Sequence, residues 1–138
     1  MHTGHLWDSS GHLLASVTFT NETATGWQTA YFSPVTIQPN ITYIASYYSP
    51  NGGYSYTANY FNSGYTSGPI TFLSSASSGG NGVYIWGSSP AFPTQTYQAY
   101  NYWVDVLFAP QSGGFTASQP SKEYIYFAGK VVAVENAH

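Results

Sequence analysis

Apolar and polar residues alternate along most of this chain with period two, in short runs broken by Gly, Pro, Asn and Ser. That spacing puts successive side chains on opposite faces of a strand. The strongest run is residues 100–108. Tyr102, Val104, Val106 and Phe108 point one way, and Trp103, Asp105 and Leu107 the other. Both faces are largely apolar, which predicts a central strand covered on both sides. Asp105 is its one carboxylate, and a buried carboxylate needs hydrogen-bond partners or an edge position. We expect it to cap neighbouring backbone or hydroxyl groups.

Further strands follow by the same reading. Leu6-Trp7 ends a short strand, and Asp8-Ser9-Ser10-Gly11 is a turn with Gly at its left-handed position. Leu13, Ala15, Val17 and Phe19 alternate against Leu14, Ser16 and Thr18, a half-buried partner strand. Residues 27–32 read as a strand, and Val35-Thr36-Ile37 as a brief one beyond Pro34. Residues 41–48 form a strong strand that stops at the turn 49–53. Residues 54–89 are less regular, with Tyr54/Tyr56 alternating, a Ser/Gly-rich exposed stretch at 74–82 and a short strand at 83–86. Residues 109–121 read as a Pro/Gly/Ser linker. Tyr124 to Phe127 and Val131 to Val134, joined by Ala128-Gly129-Lys130, read as a β-hairpin.

No segment carries the helical 3.6-residue period. The predicted fold is therefore all-β: an antiparallel β-sandwich, jelly-roll-like, with an added C-terminal β-hairpin. Residues 1–108 would form the sandwich, 109–121 the linker, and 122–138 a hairpin that completes a sheet in cis or in trans.

Charge narrows the function classes. Only 5% of the 138 residues are charged, against about 25% in ordinary soluble domains. With two basic residues and a net charge of −3, no row of phosphates could be neutralised, so nucleic-acid partners are not expected. An anionic membrane surface is disfavoured for the same reason, and no apolar run has the length of a membrane-spanning helix. There is no cysteine, hence no disulfide frame. Polarity comes from Ser, Thr, Asn, Gln and Tyr, and aromatic residues make up 19%. Such surfaces suit neutral polar ligands such as sugars, or packing against further copies. The same composition also arises simply because Thr and Tyr favour strands.

Several blocks carry a family resemblance. His2-Thr3-Gly4-His5-Leu6-Trp7, Gly11-His12-Leu13-Leu14-Ala15, Phe19-Thr20-Asn21-Glu22, Gly26-Trp27-Gln28, Tyr43-Ile44-Ala45-Ser46-Tyr47, Gly80-Asn81-Gly82-Val83-Tyr84 and Asn101-Tyr102-Trp103-Val104-Asp105-Val106 occur in order. Together they resemble the bacterial DUF4082 family over residues 2–108. The resemblance implies an exported, extracellular or cell-surface β-sandwich module, expected here as a portion of a larger parent. It carries no catalytic residues across. Compared with the family pattern, about two strands are missing before the His-Thr-Gly block. Residues 123–133 resemble the strands of Rhs-type Tyr-Asp repeats. We expect the C-terminal segment to fill the gap, with Tyr124, Tyr126, Val131 and Val132 as assembly contacts, in the same subunit or a neighbour.

Candidate chemistry is sparse. His2, His5 and His12 do not converge as zinc ligands, since strand positions three apart face oppositely. If an ion is bound, calcium is the candidate, held by Asp8 and Glu22 with backbone carbonyls. Five carboxylates, no cysteine and no nucleophile elbow give little basis for hydrolysis, so no enzyme activity is expected. Aromatic rings with polar handles stack on sugar faces while amides bond their hydroxyls. The candidate ligand-binding residues are Tyr54, Tyr56, Tyr60, Tyr65 and Trp86, with Asn51, Asn59 and Asn81. Each taken singly also fits packing beneath a long loop. Trp7, Trp27 and Trp103 fall in predicted strands and are assigned to the core. The expected function is a non-catalytic binding or adhesion module, with neutral polysaccharide or cell-surface glycan as the leading ligand class. The alternative is a self-associating structural subunit, a homo-oligomer built by strand exchange.

Overall fold

The computed structural model describes residues 1–110, 123–131 and 133–136. Its strands are β1 (Thr3–Asp8), β2 (Leu13–Thr18), β3 (Val35–Ile37), β4 (Tyr43–Ser49), β5 (Tyr65–Ser67), β6 (Ile70–Phe72), β7 (Val83–Trp86), β8 (Gln95–Thr96), β9 (Val104–Pro110), β10 (Glu123–Val131) and β11 (Ala133–Asn136). A six-stranded sheet has the order β2-β1-β4-β11-β7-β8, and a three-stranded sheet the order β3-β10-β9. β5 and β6 form a separate ribbon. Pairing is antiparallel except at β11, which runs parallel to both β4 and β7. The fold is all-β and sandwich-like.

The core explains the layering. Leu6 sits opposite Ala15 on one side and Ala45 on the other. These residues and Tyr47 meet Ile37 and Val104 of the smaller sheet, with Tyr102 beside them. Alternation in β2 holds from Leu14 onward, because Ala15 and Val17 are half-buried while Leu14, Ser16 and Thr18 are exposed; Leu13, expected on the inner face, is exposed. The outer face of β1 is covered as well. The Trp7 indole N–H donates to the Ser46 hydroxyl at 2.8 Å, and Phe92 packs edge-on to Trp7. Pro93, next to Phe92 in the chain, is fully buried. The strands closest to the centre are thus β1 and β4. That differs from the expectation for residues 102–108: β9 is an edge strand and Leu107 is 45% exposed. Asp105 meets the expected role, with the Val106 N–H donating to its Oδ1 at 2.9 Å.

Other expectations need correcting. Residues 27–32 form no strand. Residues 75–78 make a single helical turn (α1, Ser75–Ser78), with the Ser74 hydroxyl accepting the Ser77 N–H and left-handed Gly79 closing it. That is a local Ser-cap and Gly-stop device too short to show a helical period. The C-terminal segment is not a hairpin, since its two strands lie in different sheets. β10 is flanked by β3 and β9, and β11 by β4 and β7. Residues 128–130, read as a turn, belong to β10 itself. Open backbone donors in two sheets outweigh the local turn preference of Ala-Gly-Lys. β9 also continues two residues beyond Phe108, into the start of the predicted linker.

Burial has one consequence for pH. His5 is 5% exposed, and desolvation lowers its pKa to about 4 from 6.5. The unfolded chain therefore binds a proton that the folded chain refuses between those values. Stability is full above pH 6.5 and falls as the pH drops toward 4, by roughly 1–3 kcal/mol. Denaturant midpoints for wild type and His5→Gln, measured at pH 7 and pH 5, check this. The wild type should lose the larger share. Equal losses would mean that another group carries the dependence.

Candidate functional site

The site is built by a tight turn. Gln98 and Ala99 both take left-handed conformations (φ 45° and 48°), and the Tyr100 N–H donates to the Tyr97 carbonyl at 3.1 Å. Two consecutive left-handed residues reverse the chain as the mirror-image turns of hairpins do. The turn's carbonyls then accept from a distant loop: Asn59 N–H to Gln98 at 2.9 Å and Phe61 N–H to Ala99 at 3.0 Å. Thr57 and Asn101 exchange both backbone hydrogen bonds at 2.9 Å. Phe61, 1% exposed, anchors the loop beneath. Trp103 is also left-handed (φ 61°). Its N–H donates to the Asn101 Oδ1 at 2.7 Å and its indole N–H to the Thr57 hydroxyl at 3.1 Å.

This lacing sets residues 54–57 against residues 100–103, and the rings meet. Tyr56 stacks on Tyr100 with centroids 4.6 Å apart and planes 4° apart. Tyr54 and Tyr84 both pack edge-on to Tyr102, at 5.8 and 6.1 Å. Trp86 stands against Tyr84, and Tyr97 against Tyr100. These seven aromatic residues line an open recess of about 230 Å³. Tyr102, 5% exposed, is buried among them, while Tyr54, Tyr56, Trp86 and Tyr97 are exposed. Burial first, then the neighbouring phenols, raises the Tyr102 and Tyr100 hydroxyls above the ordinary tyrosine value. They stay protonated and each offers a donor and an acceptor.

A second, larger hollow of about 620 Å³ lies alongside and shares Tyr54 and Tyr102. Trp27, 50% exposed, lines it edge-on to Trp103. Its loop is tied by Gln28, whose Oε1 accepts from the Thr23 N–H and whose Nε2 donates to the Thr23 hydroxyl and the Gly26 carbonyl. Glu22 also lines it. Burial opposes ionisation of Glu22, but hydrogen bonds from the His2 ring and backbone outweigh it and lower the pKa.

The predicted ligand residues divide. Tyr54, Tyr56 and Trp86 come together in the recess. Tyr60 and Tyr65 do not. They form a neighbouring cluster in which Tyr60 meets Phe61 and Trp103 while Tyr65 stacks on Phe72 at 4.5 Å. Asn81 is used internally, donating to the Leu73 carbonyl at 2.6 Å and accepting from the Gly82 N–H at 2.7 Å. Asn51 and Asn59 lie exposed in turns, Asn59 in the left-handed region that asparagine tolerates. Neither lines the recess. Trp27 and Trp103, assigned to the core from the sequence, line the larger hollow instead. The period-two reading does not single out Tyr84, Tyr97, Tyr100 or Tyr102: it sends Tyr100 and Tyr102 into a strand, places Tyr84 in the strand that it does form, and leaves Tyr97 in a loop. The left-handed turn at Gln98-Ala99 sets Tyr97 and Tyr100 beside the 54–57 loop.

Asp8 and Glu22 cannot share an ion. Glu22 engages His2 before β1 and Asp8 ends β1, which places them ~20 Å apart for a strand of this length. Asp8 is committed to its own turn, accepting from the Ser10 and His12 N–H groups and the His12 ring. No cluster of three or more His, Asp or Glu occurs among the described residues. Nor does any described helix have the length and apolarity to cross a membrane. Of the assembly residues, Tyr124 pairs in register with Thr36 and Ala109, Tyr126 with Leu107 and Val131 with Val104. Val132 lies outside the described residues.

The family model DUF4082, a domain of unknown function, matches residues 1–104. The chain belongs to the DUF4082 family. Its DUF4082 segment contains every residue lining the recess and the larger hollow. β10 and β11 lie beyond the match, although both occupy interior positions in the sheets. No curated protein and no solved structure matches the chain.

Proposed function

We propose that this DUF4082 domain is a non-catalytic extracellular binding module whose aromatic recess takes a neutral sugar. One observation carries the reading. Three aromatics from two separate stretches, Tyr54 and Tyr56 from one and Trp86 from the other, converge with four further rings on a recess lined by no charged residue. Exposed ring faces stack on the C–H face of a sugar, and the phenol and indole edges bond its hydroxyls. A strand protein needing only a core would bury these rings, yet four of the seven remain exposed. A glycan array with the purified protein tests the proposal. Trp86→Ala should weaken any sugar found by about tenfold or more while leaving the melting temperature nearly unchanged. A folded protein that binds no glycan would overturn the reading.

A second reading, self-association, is favoured by a separate observation. β10 and β11 lie beyond the family match but inside both sheets. A segment in that position can serve its own chain or a neighbour with the same hydrogen bonds. Elution that stays monomeric across a wide concentration range would rule out the intermolecular form.

A further inference from the structure

We propose that the recess and the larger hollow form one binding cleft, and that its ligand is an extended neutral glycan chain rather than a single sugar. This rests on the sugar-binding reading above and adds the ligand's length and charge. The two hollows share two residues, Tyr54 and Tyr102. Tyr102 is buried and Tyr54, edge-on to it at 5.8 Å, is exposed. Tyr54 therefore stands as a ridge between two depressions over a common floor. A chain laid across it touches both, whereas one sugar fills one.

Each hollow has its own exposed indole. Trp86, 42% exposed, lines the recess, and Trp27, 50% exposed, lines the hollow beyond Tyr54. Tyr54 thus lies between two separate stacking platforms. Size agrees. The recess alone, at about 230 Å³, is below the roughly 300–1,000 Å³ of ordinary small-ligand sites, whereas the adjoining hollow falls within that range.

Charge sets the class of sugar. Glu22 is the one carboxylate lining the cleft, and neither hollow is lined by lysine or arginine. Its lowered pKa keeps it ionised near neutrality. A carboxylate accepts about four hydrogen bonds, so capacity remains beyond the two that His2 supplies. Sugar hydroxyls can donate to it. Glu22 is already paired with the Met1 ammonium at 3.7 Å, so the carboxylates of an acidic glycan meet a like charge and find no lysine or arginine lining the cleft to offset it.

Calorimetry with neutral oligosaccharide series (cello-, xylo- and manno-, from the single sugar upward) tests this, with oligogalacturonate as the acidic comparison. Affinity in the series that binds should rise by about tenfold or more once the chain spans both indoles. Trp27→Ala, an exposed and non-core change, should abolish that rise while short sugars keep their affinity. Oligogalacturonate should bind more weakly than the neutral chain of equal length. Short and long neutral chains binding equally would overturn the extended cleft and leave the single-sugar reading standing. Preferred binding of oligogalacturonate would overturn the neutral assignment. Folded protein that binds none of the series at any length would overturn the sugar reading together with the cleft.

Discussion

Gly82→Ala should cost about 4 kcal/mol or more, beyond the usual range for a point substitution. Two causes combine at this residue. Its φ is +75°, where an L side chain is strained, and a Cβ placed there would overlap the Tyr100 carbonyl oxygen and stand 2.7 Å from its carbon. The obstacle is backbone, so no rotamer change relieves it. Gly82 immediately precedes β7, which carries Tyr84 and Trp86, and Tyr100 belongs to the opposite wall of the recess. The close approach of these two backbones brings the two walls together. Gly26→Ala is the control, because its φ is +87° but nothing lies within 4 Å of the added carbon. It should cost only the left-handed penalty, roughly 1–2 kcal/mol. Thermal melts of both variants check the difference, with a drop of the order of 10–15 °C for Gly82→Ala. Equal losses would remove the close approach from the explanation.

What was legible in the sequence follows from what decides each feature. Strands β1, β2, β4 and β7 lie close to where alternation puts them, because side-chain direction along a strand is local. Which strands are central was not legible. Both faces of residues 102–108 are apolar, yet Leu107 is exposed and it is β1 that lies covered on two sides. Coverage of β1 comes in part from Phe92, 85 positions beyond Trp7 along the chain, and no pattern within β1 encodes it. The site shows the same division. Tyr54, Tyr56 and Trp86 stood out as aromatics outside strong strands. Tyr100 and Tyr102 were absorbed into a strand that begins only at Val104, because Gln98, Ala99 and Trp103 are left-handed without being Gly or Asn. Backbone conformations of that kind are imposed by tertiary hydrogen bonds, here from Asn59, Phe61 and Thr57.

Setting the exposed aromatics of the recess on loops and on β7, outside the core cluster, would separate the proposed binding from stability. Trp27, Trp86 and Tyr97 can be exchanged without opening the core, since none belongs to it. Leu6, Tyr47 and Val104 cannot. Glu22 is intermediate: it lines the cleft and also ties residue 2 to the loop that carries Trp27. On the proposed sugar-binding reading, substituting it would change ligand selectivity and loop order together, so Trp27 and Trp86 are the cleaner probes of that proposal.

Removal of residues 121–138 should abolish cooperative folding, the largest effect expected for this chain. Among the described residues β10 lies between β3 and β9 and is the only strand partner either has in that sheet, while β11 joins β4 to β7 in the other. Without them β3 and β9 lose their sheet, and β7 and β8 detach from the rest. Unpaired backbone on four strands then faces water or other chains, a recipe for aggregation. The net stability of a domain is only about 5–15 kcal/mol, so the loss of two interior strands is not easily absorbed. The loss should appear as a missing thermal transition and insoluble material. Because insolubility alone is ambiguous, Ile125→Pro gives a second reading. Position 125 pairs with Val35 on one side and Phe108 on the other, and proline removes a ladder donor from an interior strand, leaving its acceptor unsatisfied at about 1–3 kcal/mol. A synthetic peptide of residues 121–138 added during refolding should restore the truncated chain. Restoration would also show that the strands can be supplied from outside, which the self-association reading requires. A truncated chain that stays soluble with an unchanged melting temperature would show that β10 and β11 contribute nothing to the fold.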